Sequence, residues 1–220
     1  MKDRNLLTVF LVCLVCFAAN CASDKTSEKA SEKAQVYNKR GLAKARSGAY
    51  KEAIEMYSAA ILLDPDYAEA YNNRGVAKKR LGRFEAAITD YDTAIRLAPD
   101  LGTPYNNRGI IMKNLGDYEA AITDYDTAIR LRPDYVNAYY NRGIAKAELD
   151  QYEAAITDYD AALQFNPDYT RAYFSRGLAK RSLNKTSEAK QDFQTALELA
   201  KQAGNVKLEG NIENLLLQFK

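Results

Sequence analysis

The sequence predicts an all-α fold, a solenoid of stacked helix pairs. Three observations carry this expectation. Prolines stand at 65, 99, 133 and 167, each 34 residues after the last. The segment AITDYDTAIRL occupies 87–97 and recurs at 121–131, with the near copy AITDYDAALQF at 155–165. Small residues return at fixed places in the same period. A constant period of this length reads as helix hairpins, each too small to bury its apolar face except against its neighbours. A catalytic centre needs one set of reactive groups, once, so copied segments suit copied architecture.

Composition narrows the function classes. The chain has 220 residues, 27% of them charged, with a formal net charge of +2. That balance gives no strong pull toward nucleic acid, and none is expected as a partner. Histidine is absent, which removes the side chain most used for acid–base work near neutral pH and for zinc. Cys13, Cys16 and Cys21 are the three cysteines, so no disulfide framework spans the repeats. Phosphate-loop and dinucleotide glycine motifs are missing. The expectation is a non-enzyme with no catalytic residues, no metal, no cofactor and no small-molecule substrate.

The first element is an address. Lys2 and Arg4 precede an apolar run from Leu6 to Ala19. The run is short for a bilayer-spanning helix, which needs about 20 residues, and fits the core of a secretory signal peptide. Ala18-Ala19-Asn20-Cys21 resembles the lipobox of bacterial lipoproteins, with Asn20 where that family usually has glycine or alanine. The resemblance implies a signal over 1–20, an acylated Cys21 and a lipid anchor in the cell envelope. Ala22 after the cysteine favours the outer membrane, on its periplasmic side. An ordinary cleaved signal peptide is the alternative. Residues 21–33 then read as a polar tether whose composition also suits helix.

Five repeats follow, 34–67, 68–101, 102–135, 136–169 and 170–203, each read as two helices. Asp66 with Glu69 forms a potential capping box for the first helix of the second repeat. Thr103-Pro104 has the form of a cap followed by a first-turn proline. Gly48, Gly82 and Gly116 are placed to close first helices, and the prolines to end second helices. Position 8 is always glycine (Gly41, Gly75, Gly109, Gly143, Gly177), and positions 20 and 27 are always alanine. Position 4 is always tyrosine; position 24 is tyrosine four times and then Phe193. Small residues let helices approach, and the rings are the expected core. Position by position, this pattern resembles the tetratricopeptide repeat, and the resemblance implies a right-handed superhelical solenoid.

Departures from that family are informative. Position 7, usually leucine there, is Arg40, Arg74, Arg108, Arg142 and Arg176; position 23 is Met56, then Asp90, Asp124, Asp158 and Asp192. Each arginine is expected to pair with an aspartate, with Arg40 left over. An arginine ladder for an anionic ligand is the alternative. In the fifth repeat Lys201 stands where proline would be. Residues 204–220 place Val206, Leu208, Ile212, Leu215, Leu216 and Phe219 at roughly helical spacing, which reads as a capping helix or, alternatively, a partner-binding one.

The resemblance implies that first helices line a concave groove for a peptide or partner segment. Position 5 there is Asn38, Asn72, Asn106, Tyr140 and Phe174. The amides could bond a peptide backbone. Tyr140 is the one tyrosine of 16 outside positions 4, 17, 24 and 34, so Tyr140 and Phe174 suggest an exposed aromatic pair; packing between first helices is the alternative. Lys79, Lys113 and Arg181 add positive charge at position 12. The first-helix segments sum to +13 and the second-helix segments to −9. This implies a basic groove for acidic or neutral protein partners. Hydrophobic residues at position 9 (Leu42, Val76, Ile110, Ile144, Leu178) argue against clamping a C-terminal dicarboxylate. The expected function is a membrane-anchored adaptor of the bacterial envelope. The other reading is a surface-displayed repeat protein that binds host or neighbouring molecules.

Overall fold

The computed structural model describes residues 28–217. The signal segment, Cys21 and Phe219 lie outside the described residues. Every regular element described is a helix. α1 covers 28–46, so residues 28–33 of the polar segment are already helical. It is followed by α2 (Tyr50–Leu63), α3 (Ala68–Arg80), α4 (Phe84–Leu97), α5 (Gly102–Asn114), α6 (Tyr118–Leu131), α7 (Val136–Glu148), α8 (Tyr152–Phe165), α9 (Thr170–Ser182), α10 (Thr186–Gln202) and α11 (Val206–Leu217). The chain divides into two compact units, one ending at Leu97 and the other beginning at Ala98.

In the N-terminal unit α2 packs on α3 and α3 on α4. Ala34 of α1 is buried with Ala60 and Ala70, so small side chains set the spacing of three helices. In the C-terminal unit each helix from α5 to α11 packs on the next, except that α7 also touches α5 and α9. Its core is one large ring per hairpin, Tyr125, Tyr159 and Phe193, each at most 1% exposed. Glycine at position 8 makes room for that ring. A Cβ on Gly143 would stand 2.6 Å from Cε1 of Tyr159, and one on Gly75 would meet Tyr91 at the same distance.

The helix ends follow local chemistry, with two corrections. Tyr67, not Asp66, is the N-cap residue of α3, and its carbonyl accepts from the Ala70 N–H. The Asp66 N–H instead donates to Asp64 Oδ1 at 3.2 Å, an Asx turn that closes the proline corner. α5 begins at Gly102, with Leu101 as its N-cap, so Thr103 lies inside the first turn rather than before it. Asp117 is a cap that the pattern did not flag, accepting from the Ala120 N–H at 3.1 Å. Each proline stands two residues beyond a second helix, whereas α10, with Lys201, runs on to Gln202.

First helices close in the left-handed region. Gly48, Gly82 and Gly116 have φ of 80°, 72° and 86°, and Asp150 and Asn184 take the same place at 57° and 59°. Asparagine tolerates this region less well than glycine. Asn184→Gly is therefore expected to stabilise the protein by ~0.5–1 kcal/mol. A thermal melt should show a midpoint a few degrees higher; an unchanged or lower midpoint would refute the strain.

α11 covers the last hairpin. Ile212 is buried against Ala189, Phe193, Ala196 and Ala200, with Leu208, Leu215 and Leu216 beside it. Val206, expected on this face, is the first residue of α11 and is 76% exposed, outside that cluster.

Candidate functional site

The arginines at position 7 join helices. Arg74 donates from Nε and Nη2 to the two carboxylate oxygens of Asp90, at 3.0 and 2.8 Å. Arg108 holds Asp124, Arg142 holds Asp158 and Arg176 holds Asp192 in the same bidentate manner. The remaining guanidinium nitrogen reaches back to the preceding hairpin. Arg142 Nη1 donates to Asp126 at 2.6 Å, Arg176 Nη1 to Asp160, and Arg74 Nη1 to Ser58 at 3.1 Å. Arg40 is exposed and lies over the Tyr37 ring.

A third partner escaped the sequence reading. Lys78, Lys146 and Lys180 contact Asp90, Asp158 and Asp192 at 2.7, 2.9 and 2.9 Å. Its signal was present: each lysine follows its arginine by four residues, which puts both on one helix face. These aspartates are almost fully buried. A buried carboxylate flanked by two cations holds helices together and leaves little for a ligand.

The position-5 asparagines are also scaffold rather than an open ladder. Asn38, Asn72 and Asn106 are only 6%, 8% and 3% exposed. The Asn38 amide donates to the Tyr67 hydroxyl at 3.1 Å, and its oxygen accepts from Asn73 at 3.0 Å. The Asn106 oxygen accepts from Asn141 at 3.2 Å. Position 5 thus meets position 6 of the next repeat, and amides that satisfy each other hold first helices in register.

The rings of Tyr140 and Phe174 are half-buried and do not form an exposed pair. Tyr140 packs on Tyr169 and Tyr159, with centroids 4.9 and 6.0 Å away, and Phe174 on Phe193 at 5.9 Å. Of the position-12 cations, Arg181 is exposed while Lys79 and Lys113 are half-buried. Burial pushes the Lys113 ammonium below its ordinary pKa, and the carboxylate of Glu148 offsets part of this.

What remains open lies in the C-terminal unit. A pocket of about 240 Å³ is lined by Ile144, Ala147 and Glu148 of α7, Tyr152 and Tyr159 of α8, and Leu178, Ser175 and Ser182 of α9. Its wall is mostly apolar. Ser175 and Tyr159 both line it, and the serine offsets part of the rise that burial gives the Tyr159 pKa. The Tyr152 hydroxyl donates to Asp150 at 2.6 Å, and this bond raises its pKa. A shallower hollow of about 170 Å³, between α5 and α7, is lined by Lys113, Asn114, Tyr118, Ile144 and Glu148. Glu148 therefore stands between the two. Among the described residues there is no cluster of potential metal ligands, and no helix long and apolar enough to cross a membrane.

Helix hairpins that stack through small residues and present their first helices to a ligand define a helical-repeat scaffold. Family models described as TPR repeat match residues 41–82 and 113–150, and models described as tetratricopeptide repeat match 68–101, 136–169 and 170–202. The chain belongs to the tetratricopeptide repeat family and is a scaffold for protein interaction, a fold whose members are typically non-catalytic. Among solved structures, a MamA protein is 26% identical, with a TM-score of 0.66 over 79% of this chain and 95% of that one. PilF of Pseudomonas aeruginosa is 17% identical, with a TM-score of 0.72 over 86% and 93%. YrrB, described as a TPR protein with an unusual peptide-binding site, is 18% identical, with a TM-score of 0.64 over 87% and 97%. At such identity, PilF and YrrB speak for the fold alone. No curated protein matches the sequence.

Proposed function

We propose that this chain is an adaptor of the bacterial cell envelope, anchored through a lipid on Cys21, that holds an extended segment of a partner protein across the first helices of its C-terminal unit. The observation that carries the reading is the pocket between α7 and α9. Ion pairs occupy the position-7 arginines and amide bonds the position-5 asparagines, whereas the lining of this pocket is apolar and open. Binding sites concentrate where apolar walls meet a few polar groups. Lys113, on the preceding repeat, and Arg181, on α9 itself, favour a partner that is acidic or neutral overall. The lipobox-like run ending at Cys21 supports the anchor, and the membership of a scaffold family supports the absence of an enzymatic role.

Site-specific photocrosslinking in cells tests this. A benzoylphenylalanine at Ser182, on the pocket's rim, should capture one or a few proteins in the membrane fraction. The same group at Leu62, 84% exposed on α2, should not. Cys21→Ser should move the protein out of that fraction. Equal capture from both positions, or none from Ser182, would end the groove reading; a Cys21→Ser protein that stays in the membrane would end the anchor.

A further inference from the structure

The repeats are their own control. Where one first helix meets the next, three positions decide whether the space between them is filled: position 12 of the earlier repeat and positions 6 and 13 of the later one. From the third repeat to the fourth these are Lys113, Asn141 and Glu148; from the first to the second they are Ala45, Asn73 and Arg80. From the fourth to the fifth they are Ala147, Ser175 and Ser182. All three are short only there, and all three line the 240 Å³ pocket. In a chain that copies itself so closely, three shortenings on two helices converge on one cavity.

The edge of that cavity is acidic. Glu148 lines it, and Asp150 holds the hydroxyl of Tyr152, another lining residue. Both carboxylates are exposed. Lys113 faces Glu148 from the neighbouring hollow and balances part of its charge. Arg181 is exposed and is not part of the lining. Two carboxylates against one lysine leave the mouth net negative, although the first helices as a whole are basic.

From this juxtaposition we infer that the pocket receives one large apolar side chain of a partner segment, with a lysine or arginine beside it that meets Glu148 and Asp150. This rests on the adaptor reading above and names what that groove selects. The apolar side chain supplies burial against Ile144, Leu178 and Tyr159, while the adjacent cation fixes the register of the segment. The flanking Lys113 and Arg181 then suit acidic residues on either side of that pair. The partner class is an acidic or neutral segment interrupted by an apolar–basic pair.

Selection of random peptides on the full chain in detergent tests the inference. Enriched peptides should share a large apolar residue with lysine or arginine within two positions. The strongest synthetic peptide, followed by fluorescence anisotropy, should bind at least tenfold more weakly to Ala147→Lys/Ser175→Asn. That pair restores residues that sister repeats carry at the same positions, so its melting midpoint should stay near wild type. Glu148→Gln/Asp150→Asn should weaken the same peptide several-fold and flatten its dependence on salt. No enriched motif, a motif with acid beside the apolar residue, or indifference to the filling pair would overturn the inference. In the last case, partner capture from Ser182 would still leave the groove reading standing; loss of capture there would remove both.

Discussion

Asp158→Ala is expected to cost ~3–5 kcal/mol of stability, the range for removing one partner of a buried ion pair. The carboxylate is 3% exposed and takes two bonds from Arg142 and one contact from Lys146, whose side chains are themselves only 17% and 19% exposed. Alanine would strand Lys146 and leave Arg142 with Asp126 alone at the contact of α7 and α8. For a chain of this size the thermal midpoint should fall by roughly 10 °C. Asp126→Ala is the internal contrast: that carboxylate also meets Arg142 but is 54% exposed, so its loss should cost under ~1 kcal/mol. Replacing Arg142, Lys146 and Asp158 together with methionine, methionine and leucine should recover most of the loss, since the one charge then deprived of a partner, Asp126, is 54% exposed. Urea melts of the four proteins decide the matter. An Asp158→Ala midpoint equal to that of Asp126→Ala would show that the network is ornamental to stability.

Alkali should unfold the protein over a narrow range. Burial pushes the hydroxyl of Tyr57 up to about 12, and pushes Tyr91, Tyr125 and Tyr159 higher still. The carboxylates of Asp90 and Asp124 add to the effect on Tyr91 and Tyr125. A folded pKa above the unfolded value of ~10 means that folding favours the neutral ring. The stability is therefore whole below pH 10 and is lost as pH rises through the folded values. Each ring forfeits ~1.4 kcal/mol per pH unit of that interval, so four rings at pH 11 forfeit about 5 kcal/mol, comparable to the whole stability of many domains. Helical circular dichroism should be lost cooperatively between pH 10 and 12. Tyr91→Phe and Tyr125→Phe should shift the transition upward without loss at neutral pH, because both hydroxyls are buried with no hydrogen-bond partner. Phe193 already occupies that position in the fifth repeat. Helices that stay intact through pH 12, or a transition that Tyr91→Phe and Tyr125→Phe leave unmoved, would refute the account.

The fold was legible because its determinants are periodic. Proline at 65, 99, 133 and 167, glycine under each position-24 ring and alanine at each docking point are read one repeat at a time. The arginine–aspartate pairs were legible for the same reason, since both residues lie in one hairpin, 16 positions apart. The asparagines were misjudged because their partners lie on other elements: Asn38 meets Asn73 of the next repeat and Tyr67 of the corner before α3, and neither contact follows from position 5 alone. Tyr140 misled in a similar way, as its neighbour Tyr169 comes from the turn before α9. The caps failed at Asp66 and Thr103 because proline corners shift helix starts by a residue or two. The pocket was invisible because it is made of what is missing at three positions on two helices, and small residues carry no motif.

Arg142 and Arg176 each touch the second helix of their own hairpin and that of the hairpin before. In a one-dimensional lattice of repeats, such contacts raise the coupling between adjacent sites rather than the energy of any one site. Strong coupling makes partly melted arrays rare, so neighbouring repeats share one fate. That coupling is uneven: where Arg142 and Arg176 find Asp126 and Asp160, Arg74 finds only Ser58, a neutral hydroxyl. The third, fourth and fifth repeats are therefore tied in their order by charged clasps, while the first is tied to the second through a neutral one.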